Sequence, residues 1–205
     1  RDAVKSGCRV VVAVGGDGVI HVTWEEMSSY YYGNVYYARS DDNGINWSSP
    51  YRITSGGYYN HGWHSDVDAD DNGNVFVVFH YVSLSIAAEV ACRISPDSGD
   101  SWDTTFNLTD NTIPDSRPAI HVMPDTSFID IVYRSLAAEN WNIFHIYSDD
   151  GLDSWEEPFM ISNSTGGDAT EPVVVRGDNY NIFAFWHDIV NAQGNYEVFY
   201  NRFLY

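Results

Sequence analysis

The chain has 205 residues, of which 44% are hydrophobic and 16% aromatic, enough to bury the core of one domain. Its formal net charge is −19, from 21 Asp and 8 Glu against 9 Arg and a single lysine, Lys5. A surface this acidic repels phosphate backbones and anionic membranes, which argues against nucleic acid as a partner, and no apolar run approaches the ~18 residues of a membrane span.

Taken in order, the chain reads as four similar units. Each opens on an apolar strand, turns at an Asp/Gly/Asn signal and returns as a stronger strand ending in an aromatic residue: 10–14 then 19–24, 67–69 then 75–79, 119–123 then 129–133, and 173–175 then 182–186. The closing aromatics Trp24, Phe79, Tyr133 and Trp186 lie 55, 54 and 53 residues apart. A third strand follows at 35–39, 89–93, 142–147 and 197–203, and a short fourth at 51–54, 106–109 and 159–162. Short Val/Ile/Tyr/Phe-rich strands without 3.6-residue periodicity predict an all-β fold, and four antiparallel strands per repeat describe a propeller blade. The expectation is one domain of four blades, at about 8–55, 64–110, 117–163 and 171–205. The last lacks a fourth strand, which residues 1–5 would supply in a closed ring; otherwise the chain is part of a larger propeller.

Between the third and fourth strands an octet recurs. Ser40-Asp41-Asp42-Asn43-Gly44-Ile45-Asn46-Trp47 shares the spacing Ser-x-Asp-x-Gly-x-x-Trp with Ser95, Asp97, Gly99 and Trp102. Ser148, Asp150 and Trp155 repeat it with the glycine one place early, at Gly151. Ser and Asp accept bonds from nearby backbone N–H groups, Gly supplies positive φ, and Trp covers the turn. The octet resembles the Asp box, or BNR repeat, of sialidase-like β-propellers. In that family the box is structural and occurs in enzymes, receptors and binding modules alike, so the resemblance implies a fold more than an activity.

The meander places the boxes at one end of every blade and two sets of equivalent residues at the other. The end of the second strand carries Glu25, His80, Arg134 and His187, with Glu26 and Asp188 beside the first and last. The start of the first strand carries Arg9, His64, Arg117 and Glu171. Polar side chains that differ from blade to blade suit an asymmetric ligand pocket, although strand ends meeting solvent are polar in any case. Tyr30, Tyr31, Tyr32, Tyr58, Tyr59, Trp63, Trp141 and Tyr196 belong to loops of the same face and suit sugar stacking.

A sialidase of this kind would bring three arginines, a Tyr–Glu pair, an acid/base Asp and a Phe/Tyr-Arg-Ile-Pro motif. The nearest string, Tyr51-Arg52-Ile53-Thr54, lacks the proline and follows the first box, and the net charge opposes an anionic sugar. The expected function is therefore noncatalytic binding of a carbohydrate or protein, outside the cell or on its surface. The alternatives are a glycoside hydrolase or lyase using two of the rim carboxylates, and a structural module. The Asp66–Asn74 run lacks the glycine and glutamate of an EF-hand, so no metal ligand is assigned, while the acidity leaves room for Ca²⁺ elsewhere. Cys8 and Cys92 pair only if neighbouring blades bring them together. Asn46, Asn107 and Asn163 head glycosylation sequons.

Overall fold

The computed structural model describes residues 9–29, 32–55, 60–83, 87–124, 128–137, 139–151, 154–162, 167–177, 180–189 and 194–204. Within them the chain forms four antiparallel meanders in sequence order. Blade one is β1 (Val10–Val14), β2 (Ile20–Ser29), β3 (Tyr32–Ser40) and β4 (Tyr51–Arg52); blade two is β5 (His61–Ala69), β6 (Val75–Val82), β7 (Glu89–Ser95) and β8 (Phe106–Asn107). Blade three is β9 (Asp115–Val122), β10 (Ile129–Ala137), β11 (Asn140–Ser148) and β12 (Phe159–Met160); blade four is β13 (Thr170–Arg176), β14 (Asn181–Ile189) and β15 (Tyr196–Leu204). The first strands β1, β5, β9 and β13 line the hub, and the fold is an all-β propeller of four blades.

The near-continuous apolar runs follow from burial on both faces of a blade. In blade two Val67, Val75, Val77 and Phe79 pack on Val35, Tyr37 and Ile53 of blade one. Alternate residues Phe76, Val78, Val90 and Cys92 pack on Ile120, Val122, Ile129 and Ile131 of blade three. Cys92 is a buried free thiol, and burial pushes its pKa up; Cys8 lies outside the described residues. Ala119, Val132 and Ile143 then meet Ala184 and Trp186 of blade four.

The two end faces carry the same apolar pattern without a covering sheet. Val10, Val12 and Val14 are 61–62% exposed on blade one, and Val173, Val198 and Tyr200 are 50–68% exposed on blade four. A closed four-blade ring would bury both, so the described residues form an arc that is open between blades four and one. The proposed closing strand, residues 1–5, lies outside them. The folded chain is expected to bind a hydrophobic fluorescent dye, and Val12→Ser with Val175→Ser to reduce the signal; dye that stays dark with the folded wild-type chain would mean the faces are covered.

The three octets form one hydrogen-bonded clasp each. Ser40 Oγ donates to Asp42 Oδ1 (2.9 Å) and accepts from Gly44 N (2.8 Å), while Asn46 N donates to Asp42 Oδ1 (2.8 Å). Ser95, Asp97, Gly99 and Ser101 repeat this, and Ser148, Asp150 and Ser154 repeat its carboxylate half. The early glycine of the third copy has an explanation. Gly151 (φ 75°) takes the left-handed position held by Asn43 (φ 59°) and Ser98 (φ 55°) in the other two. The clasp of blade two also docks on blade one: Arg39 donates to Ser98 O (2.6 Å) and pairs with Asp100 (2.6 Å), and Trp102 meets Tyr37 edge-on at 4.8 Å. Among the described residues no blade precedes blade one, and Trp47 of the first clasp is exposed.

Candidate functional site

At the end of the hub opposite the clasps, Glu25, His80, Arg134 and His187 occupy one register position, facing Val35, Val90, Ile143 and Val198 across the next strand. Their partners on the first strands sit in an unusual backbone state. His64, Arg117 and Glu171 all have φ between 51° and 53°, each at a break in register between the first and second strands of its blade. Left-handed backbone costs a non-glycine residue ~1–2 kcal/mol, and here it recurs at the same place in three blades. The bulge rotates these three side chains out of the pleat and toward the hub. It also explains why the first strands begin earlier than the apolar pattern predicts: β5 starts at His61, β9 at Asp115 and β13 at Thr170.

The brought-together groups are strongly coupled. Glu171 pairs directly with Arg117 and lies 3.8 Å from Arg9, joining blades one, three and four across the hub. Arg134 Nε donates to Ser116 Oγ (2.9 Å) and Nη1 to Thr170 Oγ1 (3.3 Å), with its guanidinium 4.1 Å over the Trp141 ring. Burial, then the Arg117 charge, lowers Arg134 to about 10; burial, then Arg9, lowers Arg117 as well. His64 and His80 are each driven down to about 3, first by burial and then by charges that include Arg117 and Arg134. Both are therefore neutral at physiological pH. Both ring nitrogens of His80, Nδ1 of His64 and Nε of Arg117 are buried without a hydrogen-bond partner. Trp63 stacks on His80 at 4.4 Å. Glu25 is buried, accepts the Ser65 N–H (3.1 Å), and is raised above the usual carboxylate range by that burial.

A cavity of about 340 Å³ opens between blades three and four, lined by Arg117, Arg134, Asp168, Thr170, Glu171, His187, Ile189 and Tyr196. The rim therefore separates into two parts: Arg117, Arg134, Glu171 and His187 line the cavity, while Glu25, His64 and His80 pack beside it toward blades one and two. Asp188 is the exception. It follows His187 on a regular strand, so it projects from the other face of β14 and is buried there. Tyr30, Tyr31, Tyr58 and Tyr59 lie outside the described residues, as does the side chain of Tyr32. Asp168, whose Oδ1 accepts the Trp141 N–H at 3.1 Å, and Thr170 are cavity residues that the repeat pattern did not single out.

The acidic run before the first turn of blade two is used structurally. Asp66 Oδ2 accepts the Ile120 N–H (3.0 Å) and Asp68 Oδ2 the Val122 N–H (2.8 Å), so two carboxylates on β5 satisfy the edge of β9. Asp70 Oδ1 closes the turn by accepting from Asn72 N and Asn74 N. Among the described residues no group of three or more His, Cys, Asp or Glu is placed to hold a metal ion.

No protein-family model and no curated protein matches this sequence. Solved structures do. The chain is similar to an α-L-arabinanase of Penicillium chrysogenum complexed with arabinobiose (15% identity over 94% of this chain and 61% of that one, TM-score 0.72). It is similar to a Hadza microbial sialidase (15% identity, 97% and 45%, TM-score 0.73). It is also similar to a polysaccharide lyase, an ulvan lyase bound to -[GlcA(1-4)Rha3S]- (12% identity, 99% and 57%, TM-score 0.69). The fold is that of these propellers, and the chain spans about half to three-fifths of their length.

Proposed function

We propose that the hub end opposite the clasps binds a carboxylate-bearing sugar of an extracellular polysaccharide. The observation that carries this is a local concentration of positive charge: in a chain of net charge −19, two of the nine arginines, Arg117 and Arg134, line one cavity, and a third, Arg9, lies 3.8 Å from Glu171 at its wall. Burial first, and then their mutual repulsion, lowers Arg117 and Arg134; both are electrostatic costs to folding that a bound anion offsets. Guanidinium groups match a carboxylate with two parallel N–H donors. The exposed Tyr196 ring and Trp141 beneath Arg134 supply flat apolar surface for a pyranose. The overall acidity, which argued against anionic sugars, is locally offset here: the cavity lining sets Arg117 and Arg134 against Asp168 and Glu171, with Arg9 beside Glu171. Two of the similar structures hold carbohydrate, and a uronate is part of the ligand of one of them. In this reading the clasps are Asp boxes with a structural role.

A second reading is favoured by one further feature. Two neutral histidines with unpartnered ring nitrogens stand beside the arginines, 6.2 Å apart between ring centres. A bound uronate carboxylate raises the basicity of an adjacent imidazole, which can then take the proton α to that carboxylate. The C–O bond to the glycosidic oxygen on the β carbon breaks as it does so, and that oxygen takes a proton from solvent, a β-elimination. Incubation with uronate polysaccharides, followed by ultraviolet absorbance of unsaturated product, separates enzyme from binder.

For either reading Arg134→Ala is expected to weaken binding of glucuronate oligosaccharides by about 30-fold, the loss of one charged hydrogen-bonding pair. Binding to neutral arabino-oligosaccharides would be unaffected. Calorimetric titration giving equal glucuronate affinity for variant and wild type would rule the proposal out.

A further inference from the structure

We propose that Glu171 is a resident stand-in for the ligand's carboxylate and sets the charge specificity of the cavity; this rests on the reading of the hub as a carboxylate seat. Among the described residues Glu171 is the side chain whose carboxylate contacts two of the converging arginines, directly at Arg117 and at 3.8 Å from Arg9. It does so from a left-handed backbone position (φ 51°) immediately before Pro172, where proline further restricts the preceding residue. Strained backbone thus aims the carboxylate into the cavity.

The pair is not sealed. The Glu171 side chain is 41% exposed and lines the cavity, so it has room to leave, whereas Arg117 Nε is buried with no acceptor and points to a contact that Glu171 leaves unmade. Two other acids lie near these arginines: Glu25 is buried and held by the Ser65 N–H, and Asp168, on the Arg134 side of the cavity, accepts the Trp141 N–H. An incoming sugar carboxylate meets like charge at Glu171 and must displace it. A neutral sugar does not. Glu171 therefore weakens binding of acidic ligands and leaves neutral ones untouched, and the penalty vanishes when its charge is removed.

The test is titration of wild type, Glu171→Gln, Glu171→Asp and Arg134→Ala with sodium acetate, D-glucuronate and methyl D-glucuronate ester, followed by tryptophan fluorescence, since Trp141 lies under Arg134. Glu171→Gln is expected to tighten acetate and glucuronate about tenfold and leave the ester unchanged, while Arg134→Ala weakens acetate. A merely structural ion pair would instead lower thermal stability with no gain in anion affinity, and that result overturns the proposal. If acetate tightens but the acid and ester of the sugar bind alike, the role of Glu171 stands and the sugar reading falls. Should the glutamine variant fail to fold, Glu171→Asp, shorter by one methylene, is expected to tighten acetate by a smaller factor; no change there is equally fatal.

Discussion

Replacing Asp130 with alanine is expected to destabilise the protein by ~3–5 kcal/mol, because it strands a buried guanidinium. Asp130 Oδ2 accepts from Arg176 Nε (2.6 Å), and Oδ1 accepts from Arg176 Nη2 (2.8 Å) and from His145 Nε2 (2.9 Å). All three side chains are fully buried, and they tie β10 and β11 of blade three to β13 of blade four. Burial alone would raise the Asp130 carboxyl; the bonds from His145 and Arg176 override it and hold it below its ordinary value. Burial lowers His145, which is therefore the neutral donor. Without Asp130 the Arg176 charge remains in an apolar seam, its guanidinium 4.4 Å over Phe128. For a chain of this size 1 kcal/mol moves Tm by about 2–4 °C, so a fall of roughly 10 °C is expected. Replacing Asp130, His145 and Arg176 together with leucine should restore much of it, since the cost lies in an unpaired charge. Thermal or urea unfolding showing under ~1 kcal/mol for Asp130→Ala would contradict this account.

That seam was hidden in the sequence. Asp130, His145 and Arg176 belong to two different repeats and lie on apolar strands where nothing local marks them as partners. The blades were legible because their signal is periodic: Trp24, Phe79, Tyr133 and Trp186 recur with the repeat, and the Ser/Asp/Gly/Trp clasps fix the end at which each hairpin turns. The register of Glu25, His80, Arg134 and His187 followed from that periodicity alone. The bulges at His64, Arg117 and Glu171 did not, because positive φ at non-glycine residues leaves no compositional trace. Pro118 and Pro172, each following one of them, were the available hint. The repeat pattern placed Arg9, Arg117 and Arg134 on one rim, but reading net charge as a property of the whole surface hid what they do there, since segregation of charge needs three-dimensional neighbours.

Asp66 provides a second large effect, visible in the pH dependence of stability. Its carboxyl is raised from 3.8 to about 6, chiefly by burial, with the Ile120 N–H opposing the shift. A folded-state value above the unfolded one means that the folded chain holds the proton more tightly. The contribution is therefore complete below pH ~4, is lost as pH rises through ~6, and amounts to about 3 kcal/mol. Glu89, raised to about 7 by burial, acts in the same direction, whereas Asp97, lowered to about 2 by its bonds from Ser101, acts in the opposite one below pH ~4. The difference between wild type and Asp66→Asn isolates the single group. Asparagine keeps an amide oxygen for the Ile120 N–H and carries no charge to desolvate, so the variant is expected to gain on wild type steadily between about pH 4 and 6 and stay ahead at about pH 7. Denaturant midpoints measured across that range should diverge with the sign given. Parallel curves, or an Asp66→Asn variant that loses ground as pH rises, would mean that Asp66 ionises without resistance and that the seam between blades two and three is held by other contacts.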